Sequence, residues 1–164
     1  MPTQTSTDRI VKEIVLKAPR TRVWRALTDT AEFGAWFGAR LQGQFKPGTQ
    51  VKGQMTIPGH EEKVFDCVVD RVEPENLFSY RWHPCSGDPK ADHSNEPRTL
   101  VEFRLEDIPN GTKLIVVESG FDALPASRRE VAFRANTGGW DVQLGNVQRY
   151  VDARVLDSQN AARK

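Results

Sequence analysis

The chain has 164 residues, 38% of them hydrophobic, and 23 Lys and Arg against 22 Asp and Glu, for a formal net charge of +1. That length supplies one core and is short for two domains, and the balanced charge leaves no footprint for nucleic acid. No run of about 18 apolar residues exists for membrane insertion, and the polar stretch Met1 to Arg9 has no apolar signal core, which predicts a soluble, cytoplasmic protein.

Arg9 to Lys17 reads as a first strand. Pro19 then opens a helix, since its missing N–H has no partner to lose at a first helical position, and Val23, Trp24 and Leu27 share one face before the helix ends near Asp29. A second short helix spans Thr30 to Phe37, with Thr30 as the expected cap and Gly38 as its stop. From Ala39 the period becomes two, with Ala39, Leu41, Gly43 and Phe45 on one face. Turns at Pro47-Gly48 and Pro58-Gly59 bound a strand of Val51 to Ile57. Val64 to Val72 makes another, and after the turn Pro74 to Asn76 the residues Phe78, Tyr80 and Trp82 line one face of the next. The polar connection Pro84 to Pro97 reads as a mobile rim or a functional loop. Val101 to Leu105, the turn Pro109-Asn110-Gly111 and the apolar run Leu114 to Val117 complete the strands.

Leu124 to Arg154 reads as one long amphipathic helix with Phe133, Trp140, Leu144, Val147 and Val151 on one stripe. The pair Gly138-Gly139 inside it predicts a kink or a close approach. The order of strand, two short helices, antiparallel strands and long helix predicts an α+β domain whose curved sheet covers the last helix. The single domain is placed at residues 9–156, with 1–8 and 157–164 as flexible termini.

The stretches "IVLKAPRTRVWRALTDTAEFGAWFG", "VDRVEPENLFSYRW", "GTKLIVVESGF" and "GGWDVQLGNVQRYV" resemble, in that order, the activator of heat-shock protein 90 ATPase homologue family, a branch of the START-like (SRPBCC) helix-grip superfamily that also holds polyketide cyclases and a pollen allergen. The resemblance runs from about Ile10 to Val151. It implies a curved sheet gripping the C-terminal helix around a hydrophobic cavity, and implies no particular reaction. The founding members that stimulate the chaperone carry an additional N-terminal domain, for which this chain has no room. A chaperone partner is therefore the less favoured expectation.

Motifs for chemistry are sparse. His83, Cys85 and His93, with Asp88 and Asp92 between them, lack the spacing of a metal site, so no metal is expected. No G-x-S-x-G elbow, G-x-G-x-x-G or phosphate-binding loop occurs, so neither a nucleophile nor a cofactor is expected. Cys67 reads as a small core residue and a free thiol, and no disulfide with Cys85 is expected.

Glu118 is in phase with Leu114 and Val116, opposite Ile115 and Val117. If the first set points inward, Glu118 is a carboxyl in apolar surroundings and a candidate acid. The half-exposed habit of such strands favours the other orientation, with Glu118 in solvent or paired with an Arg. The aromatics are the most informative set, able to fill a core or to line a cavity. The ligand-binding candidates are Trp36, Phe45, Phe65, Tyr80, Trp82, Phe103, Glu118, Phe121, Trp140 and Leu144, around a small apolar or amphipathic molecule. A cyclase-like or dehydratase-like enzyme using the same cavity is the alternative, so whether the protein is an enzyme stays open. Either a monomer or a homodimer is compatible with the sequence.

Overall fold

Period-two alternation recurs along the chain, and in the computed structural model it becomes one antiparallel sheet of seven strands. Residues 8–84 and 96–162 are described, with side chains as far as residue 153. The strands are β1 (Arg9–Leu16), β2 (Ala39–Gln42), β3 (Gln50–Met55), β4 (Val64–Glu73), β5 (Leu77–Trp82), β6 (Thr99–Ile108) and β7 (Gly111–Ser119). Helices α1 (Arg20–Thr28) and α2 (Thr30–Phe37) separate β1 from β2, and α3 (Ala126–Ala162) closes the chain. The sheet order is β1-β7-β6-β5-β4-β3-β2, so β2 to β7 form a meander and the first strand docks beside the last.

Local chemistry sets the early boundaries. Pro19 is the cap of α1 rather than its first helical residue, and its carbonyl accepts from the backbone N–H groups of Arg22 and Val23. Asp29 ends α1 and also caps α2, its side chain accepting from Glu32 N at 3.0 Å. The cap expected of Thr30 is not formed, because its hydroxyl donates instead to the Gly43 carbonyl at 2.9 Å. Strand β2 stops at Gln42, short of the expected Phe45, because Gly43 turns the backbone to φ +93°. Phe45 nevertheless returns to the core at 7% exposure. Gly53 is required where β3 passes β2, since a Cβ there would sit 2.0 Å from the Arg40 carbonyl oxygen.

Helix α3 starts where the Pro125 carbonyl accepts from Arg128 N and Arg129 N. Its buried stripe is Ala132, Asn136, Trp140, Leu144, Val147 and Val151, with Phe133 at its half-buried edge. Polar pins hold it against β1 and α2. Lys12 Nζ pairs with Asp141 at 3.0 Å, Gln148 donates to the Val15 carbonyl, Gln143 donates to the Phe37 carbonyl, and the Tyr150 hydroxyl donates to Glu32 at 2.9 Å. The expected close approach at Gly138-Gly139 is not found. A Cβ on either would meet nothing within 4 Å, the helix runs on through both, and nothing in the structure explains the pair.

The result is the α+β helix-grip architecture, a curved antiparallel sheet wrapped around the C-terminal helix with two short helices after the first strand. Among the described residues no helix is long and apolar enough to cross a membrane.

Candidate functional site

Along β7 the residues Thr112, Leu114, Val116 and Glu118 are buried while their neighbours are half-exposed. The alternation is as expected, but the favoured orientation is reversed, and Glu118 points inward at 0% exposure. Water is replaced around it by side-chain donors. Glu118 Oε1 accepts from Trp140 Nε1 at 2.8 Å and Asn136 Nδ2 at 2.9 Å. Oε2 accepts from Trp82 Nε1 at 2.8 Å, Thr99 Oγ1 at 2.6 Å and Asn136 Nδ2 at 3.0 Å. Strand register brings these groups together, since Trp82 at the end of β5 lies opposite Thr99 at the start of β6 and Glu118 pairs with Val101 two residues on. Asn136 and Trp140 are four apart on α3 and therefore share its inner face.

This donor set suits an ionised carboxylate. An indole N–H and an amide NH₂ only donate, and an ionised carboxylate only accepts, with about four lone-pair sites between its two oxygens. The hydrogen bonds fill those sites, so Glu118 has no free lone pair to take a proton from a bound molecule. Glu118 ties β5, β6, β7 and α3 together, with the two indole rings 5.7 Å apart at 33°.

Around this hub lies a continuous layer of rings. Phe33 of α2 stands at its centre, with ring centroids 4.7 to 6.4 Å from Trp36, Phe37, Phe45, Phe65, Tyr80 and Phe103. Most of these contacts are edge-on, the favoured arrangement for aromatic quadrupoles. Trp36 spends its indole N–H on the Ala26 carbonyl at 2.8 Å. Phe45 lies 4.9 Å from Phe78, Phe65 lies 5.7 Å from Trp82, and Phe103 lies 5.7 Å from Trp140. Leu144 is buried one turn further along α3. Phe121 stands apart, since its ring packs edge-on against Phe133 at 5.4 Å and joins no other ring pair among the described residues.

Tyr80 is the exception in polarity. Its side chain is fully buried and its hydroxyl has no hydrogen-bond partner among the described residues. Burial pushes the phenol well above its ordinary value of 10.0, with the neighbouring Cys67 and Glu118 adding to the shift.

The sequence reading missed Thr99, Asn136 and Phe33 as members of this site. Asn136 had a legible signal, because a polar residue four before Trp140 and eight before Leu144 lies in the middle of an apolar stripe and needs a buried partner. Thr99 and Phe33 had none beyond their side-chain types.

Cys67 is a free, buried thiol, as expected. Burial, helped by the charge of Asp66, pushes it from 9.0 up to about 12. The protonated form is thus favoured in the folded state, and the stability this contributes is full below 9.0 and lost as pH rises towards 12. Urea unfolding followed across that window should show stability falling by about 1.4 kcal/mol per pH unit more for the wild type than for Cys67→Ala. Parallel pH profiles would contradict the assignment.

The residues Cys85, Asp88, Asp92 and His93, and with them most of the connection Pro84 to Pro97, lie outside the described residues, as do 1–7 and 163–164. Among the described residues no three His, Cys, Asp or Glu side chains gather as metal ligands.

The family described as "Activator of Hsp90 ATPase homolog 1-like protein" matches residues 17–152. No curated protein matches the chain. Several solved structures do. Protein MLL2253 from Mesorhizobium loti is 26% identical with a TM-score of 0.69, over 88% of this chain and 97% of that one. DynU16, of the dynemicin biosynthetic locus, is 23% identical with a TM-score of 0.67, over 88% of this chain and 47% of its own. The Aha1 dimer from Colwellia psychrerythraea is 17% identical with a TM-score of 0.67, over 88% of this chain and 96% of that one. At their identities, the last two likenesses are ones of fold.

Proposed function

This chain belongs to the Activator of Hsp90 ATPase homolog 1-like protein family, and from that premise we propose that it binds a small apolar or amphipathic molecule between the sheet and helix α3. The observation that carries this reading is Tyr80, a fully buried hydroxyl amid aromatic rings with no hydrogen-bond partner among the described residues. Leaving such a group unpaired costs about 1 to 3 kcal/mol, and a ligand's polar atom would recover it. Trp36, Phe65, Trp82, Phe103 and Trp140 supply the apolar walls. Phe33, at the centre of the layer and carried on a helix of only 8 residues, is the ring that gives way on entry.

In this reading Glu118 orients the two indoles and does not carry protons, because its lone pairs are engaged. The activator role in the family's name is not taken over. Gln42, Gln44, Gln50, Lys52, Gln54 and Arg104 are exposed and polar, without an aromatic anchor, and the exposed large apolar side chains on the described strands are Val11 and Val15 on the edge strand and Val64 opposite Gln54.

The test is titration with 6-propionyl-2-(dimethylamino)naphthalene, a neutral dye whose emission shifts to the blue in apolar surroundings. Saturable, blue-shifted emission at a stoichiometry of about one is expected for a single enclosed site. Emission that grows linearly with protein would remove the binding reading.

A further inference from the structure

The interior is selective in its polar chemistry. Apart from Tyr80, the buried polar or charged side chains among the described residues are Ser79, Thr99, Thr112, Glu118 and Asn136. Each of those is spoken for. Ser79 donates to Asp70, Thr112 donates to the Ala18 carbonyl, and Thr99 and Asn136 donate to Glu118. No Lys, Arg or His is fully buried among the described residues; the guanidinium groups that reach inward, Arg22 and Arg128, keep 18% and 15% of their side chains exposed and are paired with Glu32 and Glu96, so the one fully buried charged side chain is Glu118.

Resting on the binding reading above, we propose that the bound molecule is uncharged and carries a single oxygen, a carbonyl or a hydroxyl, that pairs with the Tyr80 hydroxyl. A phenol can donate to a carbonyl or exchange a hydrogen bond with a hydroxyl, so either oxygen satisfies it. An anionic ligand is excluded on two counts. Its charge would leave water with no buried cation to meet it, and it would share a low-dielectric space with Glu118. A purely hydrocarbon ligand is accepted, but it leaves the Tyr80 hydroxyl unpaired and loses the corresponding affinity.

Three probes of one shape separate these cases: 2-acetylnaphthalene, 2-ethylnaphthalene and 2-naphthoate, each read by displacement of the neutral dye from wild type and from Tyr80→Phe. The ketone should bind wild type about fivefold more tightly than the ethyl compound, the worth of roughly one net hydrogen bond. The carboxylate should bind at least about tenfold more weakly than the ketone. In Tyr80→Phe the ketone preference should vanish while the ethyl compound binds as before. The ligand-free variant should melt at or above the wild-type temperature, because it loses an unpaired hydroxyl.

If the ethyl compound binds but the ketone shows no advantage, or the carboxylate binds as well, the inference fails and the binding reading stands. If neither the dye nor any probe binds, both fail together. A melting temperature lower by about 3 °C or more in ligand-free Tyr80→Phe would also overturn the inference, since it would mean that the hydroxyl already holds a partner such as a trapped water.

Discussion

Glu118→Gln should lower the unfolding free energy by about 2 to 5 kcal/mol, although the side chain keeps its shape and size. The reason is directional. An amide replaces one carboxylate oxygen by an NH₂ group, and that group then faces donors on either side. If Oε1 is replaced, Trp140 Nε1 loses its acceptor, while Asn136 Nδ2 keeps the other oxygen; if Oε2 is replaced, Trp82 Nε1 loses its acceptor. The Thr99 hydroxyl can turn round and the Asn136 amide can flip to accept, but the two indole N–H groups cannot. At least one buried indole N–H is left unpaired in either case, and the charge that strengthened the remaining bonds is gone. Urea unfolding of the two proteins measures the difference. Equal stabilities would show that the carboxylate is dispensable and that the hub does not hold α3 to the sheet.

Trp140→Ala should be at least as damaging, by about 3 to 5 kcal/mol, because it empties a large buried volume in the middle of the helix stripe. It also strips Glu118 Oε1 of a donor at 2.8 Å and removes ring contacts with Trp82 and Phe103. Trp140→Phe separates the two contributions. It keeps most of the packing and loses the indole N–H, so its cost should be about 1.5 to 3 kcal/mol, the worth of one hydrogen bond to a charged acceptor. Thermal or chemical melts of the pair check this. If both variants were as stable as wild type, Trp140 would have no place in the core.

The fold was legible because its signals are local. Pro19, Gly38 and the turn at Pro109-Asn110 mark element ends by their backbone demands, and the period-two faces of β4, β6 and β7 survive in the structure as alternating burial, whereas Leu77 to Tyr80 of β5 are buried on both faces. Of the rings put forward as ligand-binding candidates, all but Phe121 join the layer around Phe33, Tyr80 and Trp140. The orientation of Glu118 was not legible. Which face of a strand points inward is decided by partners distant in the chain, here Asn136 and Trp140 on a helix that begins after β7 has ended. A rule that charged residues face solvent fails where four donors converge to do the work of water. The cap of α2 was missed for a smaller reason of the same kind. Asp29 and Thr30 are both competent caps, and the hydroxyl of Thr30 is drawn away by the Gly43 carbonyl beyond the end of β2.

The most direct test of binding between sheet and helix uses the four tryptophans as reporters. Trp82 and Trp140 lie in the ring layer with their indole N–H groups on Glu118, whereas Trp24 sits on α1 and enters none of the ring pairs among the described residues. Adding 2-ethylnaphthalene to ¹⁵N-labelled protein should shift the indole N–H resonances of Trp82 and Trp140 saturably and leave that of Trp24 in place. Resonances of Trp82 and Trp140 that do not move, or a shift confined to Trp24, would contradict a ligand site in this layer.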